Sequence, residues 1–377
     1  MNSAIENKIN GGDMKIQNRT LCIFSNILGL KSLSEEARAA LEANGVDADY
    51  LYVGTDDFKK YGGGALSHFS QSWEGLTVSA EVIKRSERSI SDYDVIFVIS
   101  HQIAAALVRE GVPAKTRLVI WFDSTPRMAH RLKRTYLGLR RTMLSTVGSL
   151  YFDAVIFRKM FRRADALLAL SQAAADSVIR DYGVDAEKVR VVYTPVDVRS
   201  PKTSMHTPCR LLFVGNDFYR KGGDILVKLF EKELAVDMEL YIVSKDAAAQ
   251  MYSGRKGIHV LGGLPRDEVL NLYREMDIFV FPTLRDDGGI ALCEALAAGL
   301  PVVTRNAGAQ GEWVTTGYNG VLMDYESSAS EWAKAIREIA ATNEAFARYS
   351  RNSIEVAHRT LDRCHFQSNL FAALGSA

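Results

Sequence analysis

Residues 277–303 read DIFVFPTLRDDGGIALCEALAAGLPVV, and their pattern is the clearest indication of the fold class. An apolar run, DIFVFP (277–282), is followed by a polar loop that contains the glycine pair 288–289. The stretch 290–298 then predicts a helix, and PVVT (301–304) predicts the next strand. Strand, helix and strand in this order form a parallel unit, whose strands are buried on both faces and are therefore apolar throughout.

The same alternation continues along the chain in both directions. Apolar runs that predict further strands occur at 21–25, 49–54, 94–100, 117–123, 166–171, 189–194, 210–215, 240–244 and 258–262. The segments between them suit helices, for example 31–43 and 328–340. We therefore predict an α/β protein built from doubly wound parallel sheets.

A polar segment, TPVDVRSPKTSMHTP (194–208), divides the chain. It holds three of the eight prolines and has no periodicity, so it predicts a linker. We expect a Rossmann-like domain on each side, over 19–195 and 196–357, and a flexible N-terminal tail over 1–18. Ligands of paired sheets usually bind at the carboxyl ends of the strands, in the central cleft.

The composition excludes several classes of protein. The 377 residues include 46 Lys and Arg against 45 Asp and Glu, and 47% are hydrophobic, which excludes a disordered chain and a polycation that coats nucleic acid. The four cysteines form no CxxC pair, so neither a zinc ribbon nor a redox dithiol is expected, and a reducing cytoplasm fits best. No apolar run predicts a secretory signal or a membrane span.

The first candidate ligand loop runs from Gly215 to Gly223 (GNDFYRKGG), between a predicted strand and a helix over 224–234. The amides at a helix start favour an anion, and Arg220 and Lys221 add two cations that can bind phosphate. The spacing misses the P-loop pattern, because Gly222 follows the lysine where a Ser or Thr is required. A solvated turn with basic residues is the alternative.

The second candidate loop is TLRDDGGIALCE (283–294). Asp286 lies on the loop and Glu294 about one turn into the following helix, so both carboxylates could face one ligand that carries vicinal hydroxyls, such as a sugar or a ribose. The alternative is an acidic loop that only favours the helix dipole. Together, the two loops indicate a nucleotide or a nucleotide-sugar.

Three stretches in order resemble the family 4 retaining glycosyltransferases of the GT-B fold. They are FVGNDFYRKGGD (213–224), the stretch 277–303 and GEWVTTGYNGVLMD (311–324). The first is similar to the family's phosphate-binding loop, the second to its E-x7-E loop and helix, and the third to the turn and strand that follow. The resemblance covers roughly residues 165–345, and it implies that a final helix over 358–377 crosses back to the N-terminal domain.

The resemblance implies a role for each matching residue. Arg220 and Lys221 would bind the donor diphosphate and stabilise its charge as it leaves. Asp286 would contact the transferred sugar, and Glu294 the ribose hydroxyls. The remaining donor-binding positions are Gly215, Leu264, Gly288, Gly289 and Ile290.

Several positions depart from the family pattern. Asp286 is one methylene shorter than the usual glutamate, and Gly288 replaces a common aromatic residue. Where members often carry a histidine near the sugar, this chain reads WFDSTPR (121–127). Either Asp123 replaces that histidine or His101 of the VISHQ stretch does.

The resemblance further implies retention at the anomeric carbon and no metal or other cofactor. The acidic pair in DYD (92–94) leads a strand and is only superficially similar to a metal-binding DxD motif. Gly29, in a turn after the first strand, could bring amides to the diphosphate from the other domain, or could simply connect strand and helix. The expected partners are a nucleotide-sugar donor, linked to uridine or guanosine, and a carbohydrate or lipid-linked acceptor.

The segment from Arg127 to Arg163 contains ten Lys and Arg and one acid, Asp153, with apolar residues between them. A basic amphipathic helix of this kind would favour an anionic membrane surface. The alternative is a helix with one solvated face and one core face.

Two other functions share the architecture: a non-hydrolysing nucleotide-sugar epimerase and a catalytically silent nucleotide-sugar-binding protein.

Overall fold

The computed structural model describes residues 18–62, 71–137 and 153–375. Two six-stranded sheets, in which every neighbouring pair of strands is parallel, lie one in each half of the chain. Helices cover both faces of each sheet, as the apolar runs predict. The predicted α/β doubly wound class is therefore confirmed.

The N-terminal sheet has the strand order β2-β1-β3-β4-β5-β6. Its strands are β1 (Thr20–Asn26), β2 (Ala48–Gly54), β3 (Val95–Ile99), β4 (Arg117–Phe122), β5 (Ala166–Ala169) and β6 (Val189–Val191). The described helices are α1 (Leu28–Ala43), α2 (Thr55–Tyr61), α3 (Gln71–Arg85), α4 (His101–Glu110), α5 (Pro126–Leu137), α6 (Arg158–Arg163) and α7 (Gln172–Tyr182).

The C-terminal sheet has the order β12-β11-β10-β7-β8-β9. Its strands are β7 (Cys209–Val214), β8 (Met238–Val243), β9 (Ile258–Gly262), β10 (Ile278–Phe281), β11 (Val302–Arg305) and β12 (Gly320–Met323). Its helices are α8 (Gly223–Leu229), α9 (Ala247–Gln250), α10 (Arg266–Glu275), α11 (Ile290–Ala297), α12 (Ala329–Ile339) and α13 (Asn343–Thr360).

The segment between the sheets forms no helix or strand from 192 to 208, yet it is anchored to the C-terminal domain. The amide of Arg199 donates to Ala297 O at 2.8 Å, and that of Lys202 donates to Ser350 Oγ at 2.8 Å. Because its backbone groups are bound in this way, the segment holds a fixed path rather than a loose one.

The end of the chain forms two helices rather than the one predicted from residue 358. Helix α13 ends at Thr360, and α14 (Arg363–Leu374) begins after Asp362, whose carboxylate accepts the amides of Cys364 and His365. Helix α14 packs on the N-terminal sheet, where Phe366 stacks on Trp121 with ring centroids 5.4 Å apart.

The basic segment 127–163 is described only at its two ends, as α5, a π-helical turn over Asp153–Phe157, and α6. Residues 138–152 lie outside the described part. Several described arginines bind acids or carbonyls instead of forming an open basic face: Arg127 pairs with Asp153, Arg131 with Asp181 at 2.7 Å and Arg163 with Asp165 at 3.0 Å. Within the described ranges, no helix is both long and apolar enough to span a bilayer.

Candidate functional site

The loop predicted to bind phosphate connects β7 to α8 at the carboxyl edge of the C-terminal sheet. Gly215 directly follows β7, and its amide donates to Val243 O at 3.0 Å. Gly222 has a left-handed φ of 78°, and a Cβ there would lie 2.1 Å from Pro282 O. Only glycine permits this approach, which brings Lys221 against the end of β10.

Lys221 and Asp286 form the centre of the site. Lys221 Nζ lies 2.8 Å from Asp286 Oδ1, and their side chains are 15% and 11% exposed. Burial lowers the pKa of Lys221, since a charged amine loses its hydration there. The two residues that carry the two predicted motifs therefore meet in one ion pair.

Arg220 lies beside this pair and remains about one-third exposed. Its Nη1 donates to Arg285 O at 2.7 Å, and its Nε donates to Asp217 Oδ2 at 2.6 Å. The guanidinium is thus held over the second loop with part of its donor edge open to solvent.

The loop that carries Asp286 is fixed through its backbone. Gln310 Nε2 donates to Asp286 O at 3.0 Å, and the amide of Asp286 donates to Ala307 O at 3.1 Å. These bonds leave the carboxylate free to pair with Lys221.

Further along the loop, Gly289 precedes α11 with a left-handed φ of 58°, and Ile290 is the first helical residue.

An acid–base pair that the sequence did not single out lies on the same loop. Arg285 Nε donates to Asp287 Oδ2 at 2.9 Å, and Asp287 is 8% exposed. Burial raises the pKa of Asp287. The loop thus presents two adjacent carboxylates, of which one pairs with Lys221 and the other with Arg285.

The N-terminal domain supplies the opposite wall. Asp123 directly follows β4, and a Cβ on Gly288 would lie only 3.8 Å from the Asp123 Cβ atom. The missing aromatic side chain at Gly288 therefore lets the two domains approach closely. Burial raises the pKa of Asp123.

His101 lies next to Asp123, so both candidates for the sugar-facing position occupy one place. His101 Nδ1 is 4.0 Å from Asp123 Oδ1 and is a buried atom without a hydrogen-bond partner in the described part of the chain. Burial lowers the pKa of His101 to about 4, so the imidazole is neutral at pH 7. A neutral imidazole can accept or donate one hydrogen bond to a ligand.

Glu294 faces a separate cavity of about 200 Å³ between the domains. The cavity is also lined by Glu36 of α1 and by Arg266, whose Nε lies 3.7 Å from Glu294 Oε1. Burial raises the pKa of Glu294 to about 7. Leu264, half-buried, precedes the helix that carries Arg266.

Gly29 does not lie in a turn before the helix. Helix α1 begins at Leu28, so Gly29 belongs to its first turn, where it is exposed with no atom within 4 Å of a built Cβ. Amides of a first helical turn have no partner within the helix, so a role for Gly29 in anion binding stays a prediction.

One contact between the domains was also missed. Glu312 accepts the amide of Gln172 at 2.8 Å and that of Ala173 at 2.9 Å. Tyr193, in the segment between the sheets, donates its hydroxyl to the same carboxylate at 3.2 Å. A helix cap supplied from 139 or 140 residues away leaves no local signal in the sequence.

Within the described ranges, no cluster of three His, Cys, Asp or Glu side chains could hold a metal ion. The predicted metal independence remains a prediction.

Comparison with known proteins identifies relatives of both halves. The family described as "Glycosyl transferases group 1" matches residues 198–356, and "Glycosyltransferase Family 4" matches residues 131–200. The D-inositol 3-phosphate glycosyltransferase of Paenarthrobacter aurescens (strain TC1) is 26% identical over 200 residues, which are 47% of this chain and 49% of the relative. The chain thus spans about half the length of the curated relatives it matches.

Solved structures show the same fold at low identity. Sucrose-phosphate synthase from Thermosynechococcus elongatus superposes with a TM-score of 0.71 and 14% identity, over 94% of this chain and 97% of that one. Anabaena HepE, solved with UDP and glucose, superposes with a TM-score of 0.67 and 17% identity, over 96% of this chain and 100% of that one. The predicted GT-B fold is confirmed, and the chain belongs to the family 4, group 1 glycosyltransferases.

Proposed function

We propose that the chain transfers a sugar from a nucleotide diphosphate sugar, linked to uridine or guanosine, to a glycan or a lipid-linked acceptor, with retention of the anomeric configuration. The buried Lys221–Asp286 pair, beside Arg220 and opposite Asp123, carries this proposal. A cation tied to an acid near the sugar position can stabilise a departing diphosphate, because its charge lies where negative charge develops.

The donor would lie across the edge of the C-terminal sheet. Its diphosphate would contact Arg220 and Lys221, and its ribose hydroxyls would donate to Glu294 in the cavity. The transferred sugar would then lie between Asp286 and the Asp123–His101 pair. The relative HepE was solved with UDP and glucose, which supports a donor of this class.

In the proposed reaction the bond between the anomeric carbon and the diphosphate oxygen breaks, while the acceptor oxygen bonds to the same face of that carbon. The acceptor proton passes to the departing phosphate oxygen. Arg220 and Lys221 hold the diphosphate during this step, so we propose that no metal ion or other cofactor is needed.

The first experiment is a thermal-shift screen of the full chain against UDP, GDP and a panel of their sugars. A ligand that binds the native state alone raises the melting temperature by mass action. Donor hydrolysis is then measured for wild type, Arg220→Ala and Lys221→Ala. We expect the binding donor to be hydrolysed by the wild type and at most very slowly by either variant.

The outcome separates the alternatives. Binding without turnover of any donor and acceptor would favour a silent binding protein. Conversion of the donor to its epimer, without transfer to water or acceptor, would favour the epimerase. No shift with any nucleotide would contradict the proposed function.

The acceptor is proposed to lie at the inner face of a membrane, on the cytoplasmic side. The described arginines of 127–163 are largely engaged by protein groups, and residues 138–152 lie outside the described part of the chain. A pull-down with vesicles containing anionic lipid, at low and moderate salt, tests this. Absence of binding at both salt concentrations would contradict it.

A further inference from the structure

Arg305 is a buried cation that the proposed chemistry does not use. It ends β11, is 4% exposed and forms no ion pair with an acid in the part of the chain that the structure describes. Its Cζ lies 5.1 Å from the ring centroid of Tyr325 and 5.9 Å from that of Trp332. Burying a charge without an acid is costly, so a compensating role is expected at this position.

The main polar contact of Arg305 is the carbonyl of Pro282, to which Nη1 donates at 3.1 Å. Its Nε is buried and has no hydrogen-bond partner in the described ranges. Pro282 O is the same atom against which the backbone of Gly222 rests. Arg305 therefore fixes the carbonyl against which the phosphate loop (residues 215–223, predicted to bind phosphate) packs.

Leu284, two residues after Pro282, extends this support to Arg220. The amide of Leu284 donates to Arg220 O at 2.9 Å, while Tyr325 donates its hydroxyl to Leu284 O at 2.8 Å. Arg305 and its ring neighbour Tyr325 thus hold both ends of the segment 282–284, and this segment holds the backbone of Arg220.

We propose that Arg305 is a positioning residue for the donor diphosphate: through Pro282 and Tyr325 it fixes the loop that carries Arg220 and Lys221. The inference rests on the proposed function, because it requires a diphosphate on that loop. The positive charge of Arg305, buried behind this loop where water screens it poorly, also favours the binding of an anion on the other side of the loop. Nucleoside binding, which does not use this loop, does not depend on Arg305.

The test compares ligands with and without the diphosphate. Dissociation constants of UDP, GDP, uridine and guanosine are measured by calorimetry for wild type, Arg305→Met and Arg305→Lys, together with melting temperatures. We expect Arg305→Met to weaken the diphosphate ligand about tenfold, as for loss of one hydrogen bond from a charged group, and to leave the matching nucleoside unchanged. Arg305→Lys, which keeps the charge, should recover part of the loss.

Arg255→Met is the matched control, because Arg255 also lies over a tyrosine ring, that of Tyr252, but on the exposed surface. It should change neither affinity. If Arg305→Met does not fold, Tyr325→Phe, which keeps the ring and loses the bond to Leu284, should produce a smaller loss of the same selectivity.

Equal weakening of nucleoside and diphosphate ligand, or unchanged affinity for both, would overturn the inference while leaving the proposed function intact. Failure of the wild type to bind any of the four ligands would instead overturn the proposed function, and the inference with it.

Discussion

The carboxylate of Glu312 caps helix α7 from the other domain, by accepting the amide of Gln172 at 2.8 Å. It also accepts the amide of Ala173, while Ser171 Oγ accepts that of Ala174 at 3.1 Å. The amides of Gln172 and Ala173 are therefore satisfied only when the two domains are together, whereas that of Ala174 is capped locally. This contact links the local stability of α7 to the closure of the cleft.

Glu312→Ala should therefore loosen the closed arrangement. Loss of a capping group costs about 1 kcal/mol, and here that loss falls on the contact between the domains. We expect a larger radius of gyration in small-angle scattering and a lower melting temperature. Glu338→Ala, which alters an exposed acid of the same domain, is the control. An unchanged radius of gyration for Glu312→Ala would contradict the proposed link.

Gly222→Ala should distort the phosphate loop. Two destabilising effects combine. A residue with a Cβ loses about 1–2 kcal/mol of stability in a left-handed backbone conformation, and the new Cβ would also clash with Pro282 O. Gly254 is a matched control, since it has the same φ of 78° but no atom within 4 Å of a built Cβ. Urea unfolding and UDP or GDP affinity measure both effects. Gly254→Ala should show only the backbone cost, and equal behaviour of the two variants would refute the role of Pro282.

The Lys221–Asp286 pair should show strong coupling. Either Lys221→Met or Asp286→Asn leaves a nearly buried charge without its partner, and we expect each to destabilise the protein by about 3 kcal/mol. The double variant should cost less than the two losses combined, by about 1–3 kcal/mol. The Asp224–Lys228 pair on α8, whose lysine is exposed, should show almost no coupling in the same unfolding measurement. Additive losses at Lys221 and Asp286 would contradict the pairing.

The same variants separate binding from transfer. In Asp286→Asn, Lys221 no longer has a competing carboxylate, so UDP or GDP should bind at least as tightly as to wild type while sugar transfer falls. Weaker binding of the free nucleotide would show that Asp286 helps to hold the diphosphate and would contradict its assignment to the sugar.

Glu294 should make nucleotide binding depend on pH. Its pKa is raised to about 7 by burial, and the ionised form is the stronger acceptor and offers both oxygens to the ribose hydroxyls, so affinity should fall as pH decreases below about 7. Glu294→Gln should bind nucleotide weakly at every pH. Glu268→Gln, an exposed change on α10, should keep the wild-type profile. A wild-type affinity that is flat between pH 5.5 and 8.5 (about 1.5 units either side of that pKa) would contradict the assignment.

The stability of the ligand-free protein should respond in the opposite direction. The carboxyl has a pKa of about 7 when folded and an ordinary value of 4.5, so its contribution to stability is full below pH 4.5 and is lost as pH rises through 7. At pH 8, Glu294→Gln should thus be more stable than wild type by roughly 1–3 kcal/mol. A variant that is less stable than wild type at pH 8 would contradict the raised pKa.

The sequence predicted the strands well because strands buried on both faces must be apolar along their whole length. All eleven predicted runs are strands in the structure, with ends that differ by at most three residues. The end of the chain was predicted less well, because a helix break at Asp362 leaves the apolar spacing on both sides unchanged.

The candidate site was predicted residue by residue but not as a set of contacts. The pairing of Lys221 with Asp286, the cap from Glu312 and the rings around Arg305 each join residues from separate loops or strands. No periodicity or local spacing records such contacts. Arg285 and Asp287 were missed for a different reason: charged residues in a loop are ordinarily solvated, and only the packing around this loop buries them.

Helix α14 also determines when the core of the N-terminal domain can be completed during synthesis of the chain. Phe366, Leu370 and Phe371 complete the core on one face of the N-terminal sheet, and Arg117 Nε donates to Ala373 O at 2.9 Å. The domain that leaves the ribosome first therefore keeps the indole of Trp121 uncovered until residues 363–374 have been translated. The last core residue of the C-terminal domain is Leu361, so the N-terminal domain, although it is made first, receives its last core residues after the C-terminal domain does.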